Sequence, residues 1–143
     1  SCLCNGVKFR TNGKLRNVSN CHCIQCRKTH GTFGAYTNVK EKDIKFQSKK
    51  TLRWYKSSKN AKRGFCNKCG ASIFFKFKPA DDISIAAGLF NDKYYVMKNL
   101  ESIAEELFNG KKGLKTMRNI FVGTKSDFYK INDKLPKFKR FAN

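Results

Sequence analysis

Cysteine is the residue type that carries the chemistry of this chain. Its seven cysteines fall into three tight groups: Cys2-Leu3-Cys4, Cys21-His22-Cys23-Ile24-Gln25-Cys26 and Cys66-Asn67-Lys68-Cys69. An odd number cannot pair completely into disulfides within one chain. Disulfide frameworks spread their cysteines to staple distant loops. Clusters separated by one or two residues suit metal chelation in a reducing cytosol. Zinc takes four ligands in a tetrahedron, with thiolate sulfurs at ~2.3 Å. Cys66-x-x-Cys69-Gly70 is the clearest pair, because a glycine there can take a positive φ and turn backbone N–H groups toward sulfur.

Seven thiolates divide as four plus three. A four-thiolate site is closed and structural. A three-thiolate site keeps a fourth position for water or a substrate thiol. Cys21, Cys23 and Cys26 lie close enough in sequence to face one ion together. Joining Cys2 and Cys4 to Cys66 and Cys69 would clamp the N-terminus onto the body of the chain. Spacing also permits a second grouping, in which the middle cluster takes Cys66 or Cys69. His22 and His30 are the two histidines. His22 sits between two ligands, where its side chain is expected to point the other way, so both histidines read as supporting or surface groups. A histidine-rich hydrolytic zinc site is not expected, since no H-E-x-x-H motif occurs.

The elements that must hold these sulfurs are mostly β. With 143 residues, 40% of them hydrophobic, the expectation is a single domain over residues 1–143. No run approaches the ~20 apolar residues of a membrane span, and no apolar run opens the chain as a secretory leader would. Val7-Lys8-Phe9 and Ile44-Lys45-Phe46 alternate. Leu52-Arg53-Trp54-Tyr55, Ser72 to Phe77, Ile83 to Ala87 and Ile120-Phe121-Val122 are β-prone, with glycines between them. One late segment, Asn99 to Asn109, reads as a helix, with Leu100, Ile103, Ala104, Leu107 and Phe108 on one face and Gly110 beyond its end. Phe33, Tyr36 and Phe74 follow metal motifs and read first as buried, with site lining as the alternative.

The charge is strongly basic: 31 Lys+Arg against 10 Asp+Glu give +21. Eleven Lys and Arg fall between Ile44 and Ala80 without one Asp or Glu, and Trp54 and Tyr55 sit among them. Three readings follow, in this order: compositional background, steering of an anionic substrate, and nucleic-acid binding. The 24 Lys against 7 Arg weigh against base readout, which favours Arg. Arg27 and Lys28 are the cations nearest in sequence to the middle cysteines. They would offset thiolate charge there or form a solvated basic turn.

The motifs Ser1-Cys2-Leu3-Cys4-Asn5-Gly6, Asn20-Cys21-His22-Cys23-Ile24-Gln25-Cys26-Arg27-Lys28 and Phe65-Cys66-Asn67-Lys68-Cys69-Gly70-Ala71-Ser72 resemble the glutathione-dependent formaldehyde-activating enzyme family, which includes centromere protein V. The similarity continues through Ala87 to Asp92, Ile120 to Gly123 and Leu135 to Phe138. It implies a β-tent fold, a structural zinc on Cys2, Cys4, Cys66 and Cys69, and a catalytic zinc on Cys21, Cys23 and Cys26. The implied activity is a carbon–sulfur lyase-type reaction in the cytoplasm, joining glutathione and formaldehyde as S-hydroxymethylglutathione or cleaving the adduct. The alternative is a non-catalytic zinc module that binds nucleic acid through its basic surface. The chain departs from the family pattern in three places. Asn119 stands where many relatives carry His, Phe128-Tyr129 replaces a Trp-containing pair, and the stretch between Asp92 and Ile120 is longer than in short members.

Overall fold

A computed structural model of the chain describes residues 1–90 and 115–141. It is mainly β. In chain order come β1 (Val7–Thr11), β2 (Val18–Cys21), α1 (Ile24–His30), β3 (Gly34–Lys40), β4 (Ile44–Lys49), β5 (Leu52–Ser58), β6 (Ala61–Cys66), β7 (Ser72–Phe77), β8 (Asp82–Ala86), β9 (Thr116–Ile120) and β10 (Lys137–Phe138). The strands β1 and β4 form an antiparallel ribbon. The other eight form one sheet in the order β10-β9-β2-β3-β8-β7-β6-β5. Its β5-to-β8 portion is an antiparallel meander, whereas β9 runs parallel to both β2 and β10. No helix among the described residues is long and apolar enough to cross a membrane.

The hydrophobic core lies between ribbon and sheet. Alternation along β8 buries Ile83 and Ile85, as a strand covered on one face requires. Phe74 on β7 is the aromatic hub. Its ring lies 5.2 Å from Phe9 of β1, 5.8 Å from Phe46 of β4 and 5.9 Å from Trp54 of β5. Gly64 stands opposite both Trp54 and Phe74. A Cβ there would lie 3.1 Å from each ring, so the missing side chain lets Trp54 stack over the hub. Strand β5 closes one edge of the sheet and exposes Arg53, Trp54, Tyr55 and Lys56 consecutively. Charge on an edge strand deters pairing with a second chain.

The strand expectations hold for β1, β4, β5, β7 and β8, and β7 has the limits read from its aromatic run. Near the C-terminus the structure differs. The strand there is Thr116–Ile120, while Phe121 has a left-handed φ of 57° and Val122–Thr124 form a 3-10 turn. The deviation has a partner: the Phe121 N–H donates to Arg140 O at 3.1 Å, and its ring meets Phe141 edge-on at 4.6 Å. Helix α1 was not expected, because its seven residues carry no apolar stripe. The helix expected at Asn99 to Asn109 lies outside the described residues.

Phe74→Ala is expected to destabilise the folded chain by ~3–5 kcal/mol, the usual cost of emptying an aromatic core position. Urea denaturation of the metal-loaded protein measures it.

Candidate metal centre

Two turns build the four-cysteine cluster. At the N-terminus, the Cys2 N–H donates to Val7 O and the Asn5 N–H to Cys2 O, both at 3.0 Å. This reverses the chain just before β1. After β6, the Gly70 N–H donates to Cys66 O at 2.9 Å, with Gly70 at φ +71°. That conformation favours glycine. Backbone donors then converge on sulfur: Val7 N–H on Cys2 Sγ at 3.3 Å and Cys69 N–H on Cys66 Sγ at 3.4 Å. Thr51 Oγ1 lies 3.0 Å from Cys66 Sγ.

The four sulfurs all lie within 4.8 Å of one another. Cys2 to Cys4 is 3.7 Å and Cys4 to Cys66 is 3.6 Å. A tetrahedron with metal–sulfur bonds of ~2.3 Å has an edge of ~3.8 Å, so the spacing fits a zinc-sized ion. The protons fit it too. Burial pushes the Cys66 thiol up, but Thr51 and the neighbouring backbone N–H groups outweigh it and bring it down to about 6. At Cys4, Gly6 favours the thiolate, yet burial and the sulfurs of Cys66, Cys2 and Cys69 win and raise it to about 11. Sulfurs driven apart in this way share protons. A divalent cation held by these four sulfurs would take the place of those protons.

Cys21, Cys23 and Cys26 form the second cluster, again within 4.8 Å of one another. Cys21 ends β2. Cys23 caps α1, its Sγ accepting the Cys26 N–H at 3.4 Å. Cys26 is buried inside that helix. Hydrogen bonds from Cys21 and Cys26 hold Cys23 as a thiolate, at about 2, while Cys21 is pushed up, first by Cys23. Gly34, at the start of β3, keeps this packing open. A Cβ there would sit 2.6 Å from the Tyr36 ring and 3.3 Å from Cys26 Sγ.

His22 turns away from the sulfurs. It is 1% exposed, with Nδ1 2.7 Å from the Tyr129 hydroxyl and Nε2 3.0 Å from Asn119 Oδ1. Asn119 Nδ2 in turn donates to both oxygens of Asp133, at 3.0 and 3.1 Å, and the Tyr129 hydroxyl also lies 3.0 Å from Thr32 O. Phe33 packs on the imidazole at 5.1 Å. Asn119 and Tyr129 thus meet on one histidine, one at each ring nitrogen. His30 is no closer to ligation: Nδ1 lies 3.1 Å from Cys26 O and Nε2 3.2 Å from the Tyr36 hydroxyl.

Of the two cations nearest in sequence, Arg27 and Lys28, neither is placed against the sulfurs of the second cluster. Arg27 is turned to Ser126 Oγ, and Lys28 is exposed. Arg63 of β6 reaches the sulfurs instead, with Nη1 and Nη2 each 3.8 Å from Cys26 Sγ. Sequence reading missed it because a strand pairing, not proximity in the chain, delivers it. Its place in the basic run was the available signal. Burial weakens its charge, but the thiolate of Cys26 outweighs that and raises its pKa. Beside it lies a pocket of ≈ 240 Å³ lined by Tyr36, Tyr55, Arg63, Phe65, Phe74 and others.

Each cluster makes a separate prediction. Cys66→Ser is expected to remove one metal equivalent and the cooperative thermal transition, because Cys66 belongs to the core. Cys23→Ser is expected to remove one equivalent and leave the transition in place. Metal analysis beside thermal melts distinguishes the two. Acid adds another test. Burial raises the Asp133 carboxyl, but Asn119, Leu135 N–H and Lys137 outweigh it, so its folded pKa is depressed. The stabilisation it contributes is therefore complete above the ordinary carboxylate pKa of ~3.9 and is lost as pH falls through the lower folded value. Asp133→Asn is expected to remove that acid limb from the stability curve.

A search of the curated proteins finds no match. Among solved structures, a crystal structure of a Rhodobacter sphaeroides protein matches with a TM-score of 0.54 and 18% sequence identity, over 64% of this chain and 85% of that one. At that identity the likeness is one of fold. The model of the glutathione-dependent formaldehyde-activating enzymes matches residues 1–110, a span that includes all seven cysteines and both clusters. The chain belongs to the glutathione-dependent formaldehyde-activating enzyme family.

Proposed function

We propose that residues 1–143 form one zinc-binding domain that acts as a cytoplasmic carbon–sulfur lyase-type enzyme. It joins a thiol to an aldehyde, glutathione and formaldehyde in the first instance, or cleaves their adduct. The observation that carries this reading is the unequal sharing of sulfur. Four cysteines enclose one position, while three face another beside a pocket. Cys2, Cys4, Cys66 and Cys69 then have a structural role. Cys21, Cys23 and Cys26 have the catalytic one.

A zinc ion on the three-cysteine cluster would supply Lewis acidity that favours the thiolate form of a substrate thiol. The remaining work falls to the chain. In the forward direction a sulfur–carbon bond forms as the carbonyl π bond breaks. The thiol proton passes to solvent and the new alkoxide takes up one proton, so that S–H is added across the C=O bond with no net proton change. Tyr36 lines the pocket, and burial raises its pKa, so its hydroxyl is protonated at neutral pH and suits the donor role. Its contact with His30 Nε2 holds the hydroxyl in place. Tyr55 and Phe65 line the same pocket.

Cys23→Ala is expected to abolish turnover of glutathione with formaldehyde while the four-cysteine cluster keeps its metal. Full turnover by this variant would rule out the thiolate route. Tyr36→Phe is expected to lower kcat by ~10²-fold or more, the range for loss of a general acid, with little change in KM. Steady-state kinetics at saturating formaldehyde measures both.

A further inference from the structure

Arg63 is a half-buried cation whose surroundings explain its charge only in part. Among the described residues the ion pairs are Lys40 with Asp81, Lys76 with Glu41 and Lys137 with Asp133, and no carboxylate pairs with Arg63. Its Nη2 donates to Gln25 Oε1 at 3.1 Å, and both Nη atoms face Cys26 Sγ. Its guanidinium carbon lies 5.1 Å from the centre of the Phe75 ring. The buried Nε–H has no partner. The same side chain lines the pocket.

Charge at the cluster gives Arg63 a role. Three thiolates already leave one net negative charge on a divalent cation. A substrate thiolate would bring a second into a partly buried site, where repulsion is poorly screened. We propose that Arg63 is the counter-charge that lets the three-cysteine cluster accept a substrate thiolate. It is a positioning residue that acts through Cys26 and sets the affinity for thiols as a class. This inference rests on the reading of that cluster as a thiol site. It differs from general steering by the basic surface, because it assigns the effect to one guanidinium at contact with one sulfur.

The test compares wild type, Arg63→Gln and Arg63→Lys, each zinc-loaded, with glutathione and with the uncharged thiol 2-mercaptoethanol. Calorimetry gives thiol affinity, steady-state kinetics gives kcat and KM, and metal analysis gives zinc per chain. Arg63→Gln is expected to bind both thiols about 10- to 100-fold more weakly, the size of a lost charge-assisted hydrogen bond. KM should rise in step, with kcat and zinc content little changed. Arg63→Lys should recover most of the affinity, since it restores the charge. Wild-type affinity in Arg63→Gln overturns the inference and leaves the proposed function standing. So does a loss confined to glutathione, which would make Arg63 a reader of the substrate carboxylates. Lysine failing to rescue, or zinc leaving the glutamine variant, likewise overturns it. If wild type binds neither thiol, the proposed function fails, and the inference fails with it.

Discussion

The contact between Cys4 and Cys66 is the constraint on which the rest of the structure depends. Their sulfurs are 3.6 Å apart across 62 positions of chain. The cluster is also embedded in the core, since Cys2 and Cys66 are buried among Val7, Ile73, Phe74 and Ile85. The candidate metal ligands and the hydrophobic core therefore share residues. Sulfurs at the edge length of a tetrahedron hold β1 against the β6–β7 turn. That brings Phe9 and Phe46 onto Phe74 and closes the ribbon over the sheet. Structural zinc contributes ~10–16 kcal/mol in small peptides, which matches or exceeds the stability of a typical domain. A core this small gains accordingly from such a clamp.

The second cluster answers a different demand. Its three sulfurs come from a strand end, a helix cap and a helix interior, all within six residues of chain. Short spacing brings them together but does not fix their orientation. Orientation comes from behind, where His22 is held by Asn119 and Tyr129 and Asn119 by Asp133. A buried polar network is stabilising only when every member is satisfied, and here both imidazole nitrogens have partners.

Members of the basic run between Ile44 and Ala80 fall into different surroundings. Lys76 forms an ion pair with Glu41 at 2.6 Å. Lys62 lies over Trp54, and Lys49 over Phe46, each at 4.5 Å. Trp54 itself is stacked on Phe74 and so serves the core. Arg63 faces the sulfurs. A charge run in sequence thus separates, once folded, into edge protection, aromatic capping and one cation at the site. Alternate residues of a strand point to opposite faces, which is why neighbours such as Lys62 and Arg63 end in different surroundings.

Local order along the chain was enough to single out the sulfur clusters as candidate metal ligands, to show that β-strands dominate and to mark aromatic runs such as Ser72 to Phe77 as core strands. These features depend on neighbours a few positions apart, where spacing limits reach and alternation limits which face is buried. Only the tertiary structure decided which cysteine pairs meet, where His22 points, and that Arg63 rather than Arg27 faces Cys26. Helix α1 also escaped sequence reading, because a Cys23 cap and a cluster of sulfurs, not an apolar stripe, organise it. Such contacts span tens of residues, and His22 and Tyr129 are 107 apart. Strand register determines which side chains face each other over those distances, and register is a property of the assembled sheet rather than of any local segment.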